Sequence, residues 1–464
     1  MGTDVPTDPA RTQPPRFRVL IAGGGVAALE ALLALRELAG DRVAVQLFAP
    51  DPRFRHRPLS VTEPFALSTP RQLDLLEIAL EHHAMFLEDA LAGVDPDRRL
   101  VRTAGGRELE YDALLIATGT RAADAVPGAI HFNDSMDGGA YRSVLAEVER
   151  GVVRRIAFTV PNHASWPLGL YELALLTSAW AREHVGDELE LRLVTPEASP
   201  LTLFGRRASA AVRELLGRAG IELVLNRTPK RFQDGRLVVS GGEPIECDRV
   251  ITLPVPKAPE ITGIPSVNGF VPVDRYCAVL GLERVYAAGD VTWFPIKQGG
   301  LAAQMADCAA GAIAELAGAA TVPQPFHPVL RGALLTEWGP RYLRTEVDRP
   351  DSKSVGARSV LWWPPAKVAG RLLAPYLAAK AGYPTPSGHP LLDLEAPVGD
   401  DGVDVDAGHA DVVDVALTSA DANARWRDFR GALRWLEVAE DLELYLPSEY
   451  ELKRISWQEL ARAG

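Results

Sequence analysis

Arg18-Val19-Leu20-Ile21-Ala22-Gly23-Gly24-Gly25-Val26-Ala27-Ala28 is the stretch on which the fold turns. A short apolar run ends in three glycines, and Val26 to Ala39 then continues with helical periodicity and no breaker. Strand, glycine turn and helix form the opening of a βαβ unit. The spacing Gly23-x-Gly25-x-x-Ala28 suits a nucleotide phosphate. The first glycine allows the tight turn, the second lets main chain approach a pyrophosphate, and the small third residue lets helix and strand pack closely. The helix N-terminus adds N–H groups and a partial positive charge. The alternative is a purely structural turn.

Outward from this motif, a second strand is expected at Val43–Phe48, ending at Ala49-Pro50-Asp51. A ribose-binding acid belongs at the end of that strand. Ala49 stands there instead, so Asp51 is read either as a displaced ribose ligand or as a turn residue beside Pro50. A loop rich in Arg and Pro runs to Pro70, and a helix is predicted over Arg71 to His82. The turn Gly105-Gly106 and the apolar run Tyr111 to Gly119 follow.

The chain then repeats itself. Residues 18–25 align with 155–162 at an offset of 137, residues 45–51 with 191–197 at 146, and residues 105–116 with 241–252 at 136. In the last pair Gly105-Gly106 meets Gly241-Gly242, Glu110 meets Glu246, and Asp112 meets Asp248. Three collinear matches imply two copies of one plan. Leu282 to Asp290 and the Ala-rich helix from Gly299 to Leu316 have no counterpart in the repeat, so the chain is expected to return and complete the first copy. The predicted class is α/β, with two nested Rossmann-like dinucleotide-binding domains and a C-terminal extension.

The expected boundaries are a disordered lead-in at 1–16, a first dinucleotide-binding part at 17–150, a second domain at 151–265 and a return segment at 266–325. A C-terminal region at 326–383, an acidic linker at 384–423 and a helical tail at 424–464 follow. Ala381 to Ala424 contains no Lys or Arg and nine acids, which reads as a solvated linker. Ala424 to Glu440 is read as a short amphipathic helix.

Gly23-Gly24-Gly25, Ala117-Thr118-Gly119 and Tyr286-Ala287-Ala288-Gly289-Asp290 together resemble the three-part FAD signature of the pyridine nucleotide-disulfide oxidoreductase superfamily, over about residues 17 to 320. Phe54-Arg55-His56-Arg57-Pro58-Leu59, Tyr171-Glu172 and the run from Lys297 to Gln304 are most similar to one branch. That branch holds the sulfide:quinone oxidoreductases, flavocytochrome c sulfide dehydrogenases and type II NADH dehydrogenases. The resemblance implies FAD, with Asp290 on the ribityl chain, Thr118 and Gly119 near the adenosine pyrophosphate, and Arg57 and Pro58 near the isoalloxazine ring. It also implies a small-molecule electron donor and a quinone acceptor.

Physical chemistry adds a role for the last motif. A helix opening at Gly299-Gly300 beside Lys297 would place positive charge where a reduced flavin becomes anionic. The chain has seven lysines against 42 arginines, so a lysine retained there is suggestive; the alternative is a solvated loop residue. The second copy reads the other way. Val160 and Asn162 replace Gly23 and Gly25, and Pro161 removes an N–H, so weak or no NAD(P)H binding is expected. Sulfide-oxidising relatives use cysteines beside the flavin, and here Trp166 occupies the matching position. Cys247, Cys277 and Cys308 are read as core residues.

Composition narrows the remaining classes. With 49 basic and 61 acidic residues the net charge is −12, which argues against a nucleic-acid partner. Three cysteines form neither a disulfide scaffold nor a metal motif, and they fit a reducing cytoplasm. No apolar run is long enough to span a bilayer. Met1 to Arg16 holds four prolines and no apolar core of a signal peptide. Leu361-Trp362-Trp363-Pro364-Pro365-Ala366-Lys367 is either an interfacial membrane anchor, a packed cover or a homodimer contact. The leading expectation is an FAD-dependent oxidoreductase. Its rivals are a type II NADH:quinone dehydrogenase and a flavin-based redox sensor that docks a partner.

Overall fold

The computed structural model describes residues 16–67, 71–132, 139–162, 166–347, 354–357, 360–381, 390–393, 448–463 and the single positions 417, 433 and 436. The strand β1 (Phe17–Ala22) runs through the glycine turn into helix α1 (Val26–Ala39), followed by β2 (Val43–Ala49), α2 (Leu75–Glu81), β3 (Met85–Glu88) and β4 (Ala113–Ile116). A second series comprises β5 (Ile130–His131), α3 (Gly139–Glu149), β6 (Arg155–Thr159), α4 (Leu168–His184), β7 (Glu190–Val194), α5 (Arg206–Arg218), β8 (Glu222–Val224) and β9 (Arg249–Thr252). The chain then returns with β10 (Val285–Ala287) and α6 (Gly299–Leu316).

Two five-stranded parallel sheets result, ordered β10-β4-β1-β2-β3 and β5-β9-β6-β7-β8. The fold is therefore the nested double Rossmann-like arrangement, with β10, which follows the second unit in the chain, completing one edge of the first sheet. The continuous apolar strands reflect burial on both faces. On the first sheet, α1, α2 and α6 cover one face, while Val94, Val101, Val271 and Val279 belong to the packing on the other.

The repeat extends to individual side chains. Arg18 gives its backbone N–H to Asp112 at 2.8 Å and its guanidinium to Glu110 at 2.5 Å. Arg155 gives its N–H to Asp248 at 2.9 Å and its guanidinium to Glu246 at 3.1 Å. In both copies the acids pin the start of the central strand to its neighbour.

Several expectations are corrected. The helix predicted from Arg71 starts only at Leu75, because Gln72–Asp74 pairs with Arg53–Arg55 and Asp74 caps the helix by accepting from the N–H groups of Leu76 and Glu77. The second sheet begins well before residue 151. Ile130–His131 already pairs with β9, and Tyr141, Val144, Leu145 and Val148 of α3 lie in the second core. Leu392–Asp393, within the expected acidic linker, pairs with Trp362–Trp363, and Asp393 receives Arg331 at 2.8 Å. Lead-in residues 1–15, most of the linker and most of the Ala424–Glu440 helix lie outside the described residues.

The tryptophans do not form an exposed anchor. Trp362 is fully buried, donates its indole N–H to the Ala366 carbonyl at 2.9 Å and meets Tyr342 edge-on at 5.2 Å. Trp363 is buried too. No helix among the described residues is long and apolar enough to cross a membrane.

Candidate functional site

A cavity of about 490 Å³ opens at the C-terminal edge of the first sheet. Doubly wound sheets place ligands at this edge. Gly25, Asp51, Thr118, Gly119, Gly289, Asp290, Lys297 and Gly299 all line it.

The glycines at this edge do different jobs. Gly23 has φ +138°, and a Cβ there would lie 2.1 Å from the Ala117 carbonyl oxygen, so its bareness serves the crossing of β1 and β4. A Cβ on Gly25 or Gly119 would meet no atom of another element within 4 Å among the described residues. These two positions border open space, which is the cradle a pyrophosphate needs. Gly289 sits between the first turns of two helices, where a Cβ would come within 3.3 Å of Ala27 and 3.2 Å of Ala302. Its small size lets the N-terminal ends of α1 and α6 converge on the cavity. Ala28 is fully buried and serves packing.

Gly299 is small for another reason than flavin approach: a Cβ there would press on Val368 at 2.9 Å. A Cβ on Gly300 would lie 3.0 Å from the side-chain oxygen of Gln298. Gln298 caps α6, with its Oε1 accepting from Leu301 N–H at 2.8 Å. The Lys297 ammonium folds back and donates to the carbonyls of Thr292 and, at 2.7 Å, Phe294, while lying 4.0 Å from the centre of the Phe270 ring. Burial lowers its pKa to about 8, against the opposing pull of Asp290.

Asp51 is tied to its own turn. Its carboxylate accepts from Arg53 N–H at 3.0 Å and lies 3.3 Å from the Arg55 guanidinium. Arg57 and Pro58 open a 3-10 segment, Arg57–Phe65, and their side chains lie outside the described set; their neighbours His56, Ser60 and Val61 line the cavity.

The far wall joins Glu172, His56 and Trp166, all named in the sequence motifs, to Lys367, which no motif marked as a site residue. Lys367 and Glu172 meet there, with the ammonium 2.7 Å from each carboxylate oxygen. Glu172 is 2% exposed and also accepts from Leu335 N–H at 2.9 Å. His56 and Trp166 share this wall. Burial, then the charges of Arg71 and Lys367, holds His56 below its ordinary pKa, so it is neutral at physiological pH. The scarcity of lysine that pointed to Lys297 points equally to Lys367.

Two buried polar atoms of lining residues have no hydrogen-bond partner among the described residues, the Thr118 hydroxyl and His56 Nε2. Buried polar atoms are nearly always hydrogen-bonded. Together with the bare positions Gly25 and Gly119, these atoms fit a polar dinucleotide. None of the three cysteines lines the cavity.

The corresponding edge of the second sheet is built differently. β6 runs into buried Val160 and Pro161, and α4 starts only at Leu168. Glu197, the counterpart of Asp51, accepts from the Tyr171 hydroxyl at 2.8 Å, the Thr195 hydroxyl at 2.9 Å and Thr202 N–H at 3.0 Å. The acid that could meet a ribose is consumed internally. His163 lies outside the described residues.

Fold and cavity define a dinucleotide-binding oxidoreductase of the two-Rossmann class. The chain belongs to the pyridine nucleotide-disulphide oxidoreductase family, whose sequence profile matches residues 17–157 and 172–310. It is 28% identical over 226 residues to oxidoreductase ptaL of Pestalotiopsis fici, covering 44% of this chain and 55% of that protein. It is 27% identical over 276 residues to the biphenyl dioxygenase system ferredoxin–NAD(+) reductase component of Paraburkholderia xenovorans, covering 55% of this chain and 62% of that protein. The matches thus span less than two thirds of either relative. The sulfide:quinone oxidoreductase of Aquifex aeolicus shares the fold, with a TM-score of 0.67 at 17% identity over 82% of this chain and 98% of that one.

Proposed function

We propose that FAD occupies the first-sheet cavity and passes electrons from a small donor other than NAD(P)H to a quinone. On this reading Gly23, Gly25 and Ala28 form the pyrophosphate turn, Thr118, Gly119, Gly289 and Asp290 hold the rest of the cofactor, and Asp51 borders its ribose. Arg57, Pro58, Lys297, Gly299 and Gly300 surround the redox end. FAD supplies the capacity to accept two electrons and release them to a second partner. The chain supplies charge, access and protons. Lys367 and Lys297 bring positive charge to the cavity wall, and Glu172 holds the Lys367 ammonium in place. Neutral His56 presents a nitrogen that can exchange a proton with a bound molecule.

The observation that carries this reading is the contrast between the two sheet edges. Gly25 borders open space, whereas its counterpart Asn162 carries a side chain, and Glu197, the counterpart of Asp51, is engaged by three neighbouring residues. Anaerobic stopped-flow mixing of the purified yellow protein with NADH, sulfide and a quinol tests it. Slow or no bleaching with NADH, and fast bleaching with another donor, is expected. Rapid bleaching by NADH would instead establish the NADH:quinone dehydrogenase reading. A protein reduced by none of these donors that binds a partner only in one flavin state would be a sensor. Flotation with liposomes tests membrane-surface contact, and sedimentation tests a homodimer.

A further inference from the structure

We propose that residues 367–373 form a strap that holds FAD while docked on α1 and α6 and frees it on undocking. This inference rests on the reading that FAD occupies the first-sheet cavity. The strap lies beyond residue 310, where the family match ends, and leads into α7 (Leu373–Lys380). Its first two residues, Lys367 and Val368, line the cavity. Val368 lies against the opening of α6, where a Cβ on Gly299 would stand 2.9 Å from it. Gly370 lets main chain rest directly on both helices, since a Cβ there would press into the Glu30 carboxylate of α1 and come within 3.2 Å of Ala303 on α6. Beyond Gly370 the strap is fastened by polar bonds. Glu30 accepts from Leu372 and Leu373 N–H at 2.7 and 2.9 Å. The Arg371 guanidinium donates to both oxygens of Asp307 on α6 at 3.1 Å and lies 2.6 Å from Glu37 on α1.

Two sets of contacts therefore share one segment. Glu30, Glu37 and Asp307 grip the strap from the same two helices whose first turns face the cavity, yet neither they nor Arg371 line it. A cofactor filling the cavity meets the body through Gly25, Thr118, Gly289 and Asp290, and meets the strap through Lys367 and Val368. The second group of contacts exists only while the strap is docked. Bound FAD therefore favours the docked state, and by linkage the docked strap raises the affinity for FAD. Loosening Arg371, which the cofactor does not touch, acts on FAD only through the strap.

The test compares the full chain loaded with FAD, stripped of it and reconstituted. Trypsin reaches the bonds after Lys367 and Arg371 when the strap leaves its partners, and mass spectrometry reads the sites. Cutting after exposed Arg236, in the second unit, is the internal standard. FAD removal should speed cutting at the strap about tenfold relative to Arg236, and FAD added back should restore protection. In the reverse direction, Arg371→Ala should raise the FAD dissociation constant about tenfold, read from the flavin fluorescence recovered on release. Glu37→Gln removes a more exposed part of the same fastening, keeps the prediction open to test if Arg371→Ala folds poorly, and should raise the constant about threefold. A chain that takes up FAD yet is cut at the strap equally fast with and without it, or only in proportion to Arg236, overturns the strap and leaves the cavity reading intact. Variants that hold FAD as tightly as the wild type do the same. A chain that takes up no FAD overturns both.

Discussion

Lys367 closes the cavity by placing its ammonium 2.7 Å from both carboxylate oxygens of Glu172, a residue 195 positions away in the chain. A segment beyond the family-matched region thus completes the wall of the site. Removing one member of a buried pair strands the other charge and costs roughly 3–5 kcal/mol. Lys367→Met should therefore lower the urea midpoint strongly. Combining it with Glu172→Gln should recover much of that loss. Additive losses in the double variant would rule out a coupled pair.

The two bare glycines of the turn should respond differently. Gly25→Val places its side chain in open space, so the protein should fold with stability changed by less than about 1 kcal/mol and emerge colourless. Gly23→Ala forces a Cβ to 2.1 Å from the Ala117 carbonyl at φ +138° and should compromise folding itself. Absorbance at the flavin band and circular dichroism separate these outcomes. A yellow Gly25→Val protein would remove the pyrophosphate from this turn.

Lys297→Met should lower the flavin reduction potential. A loss of about 1–2 kcal/mol of charge stabilisation corresponds to roughly 20–40 mV for a two-electron couple. Because the ammonium binds the carbonyls of Thr292 and Phe294, the loop before α6 should also become more protease-sensitive. Spectroelectrochemical titration reads the first effect, and an unchanged potential would dispose of the proposed electrostatic role.

Fastening of the C-terminal region should weaken as pH rises. Glu30 on α1 is fully buried and accepts from the N–H groups of Leu372 and Leu373 at 2.7 and 2.9 Å. Burial, then the nearby Asp307 charge, pushes its pKa up from 4.5 to about 8. The folded state therefore holds a proton that the unfolded state releases more readily. Its contribution to stability is complete below about pH 4.5 and is lost as pH rises through about 8. Glu30→Gln should flatten this slope in denaturation midpoints measured from pH 5 to 9. The same slope in the variant would assign the effect to other groups.

Much of the fold was legible because it depends on local pattern. The glycine turn, the offset repeats and the unmatched return strand are all visible along the chain, since strands and helices impose their own periods. The start of α2 was misread because Gln72–Asp74 is claimed by pairing with Arg53–Arg55, a partner the local pattern does not reveal. Trp362-Trp363 gave an ambiguous surface signal because the same amphipathic residues suit a membrane interface and a protein core. Tyr342 and Ala366 decide for the core.

The amino-acid order alone determined that two related units exist and that only the earlier one keeps a glycine turn between its first strand and helix. Arg18 with Glu110 and Asp112, and Arg155 with Glu246 and Asp248, were already aligned before any contact was known. Only the tertiary structure decided that Lys367 reaches Glu172, that Glu197 is consumed by Tyr171, and that Arg331 reaches Asp393. Backbone geometry repeats over a few residues and leaves a readable period. Contacts between distant side chains depend on how whole elements pack, so these three pairings became visible only in the folded chain.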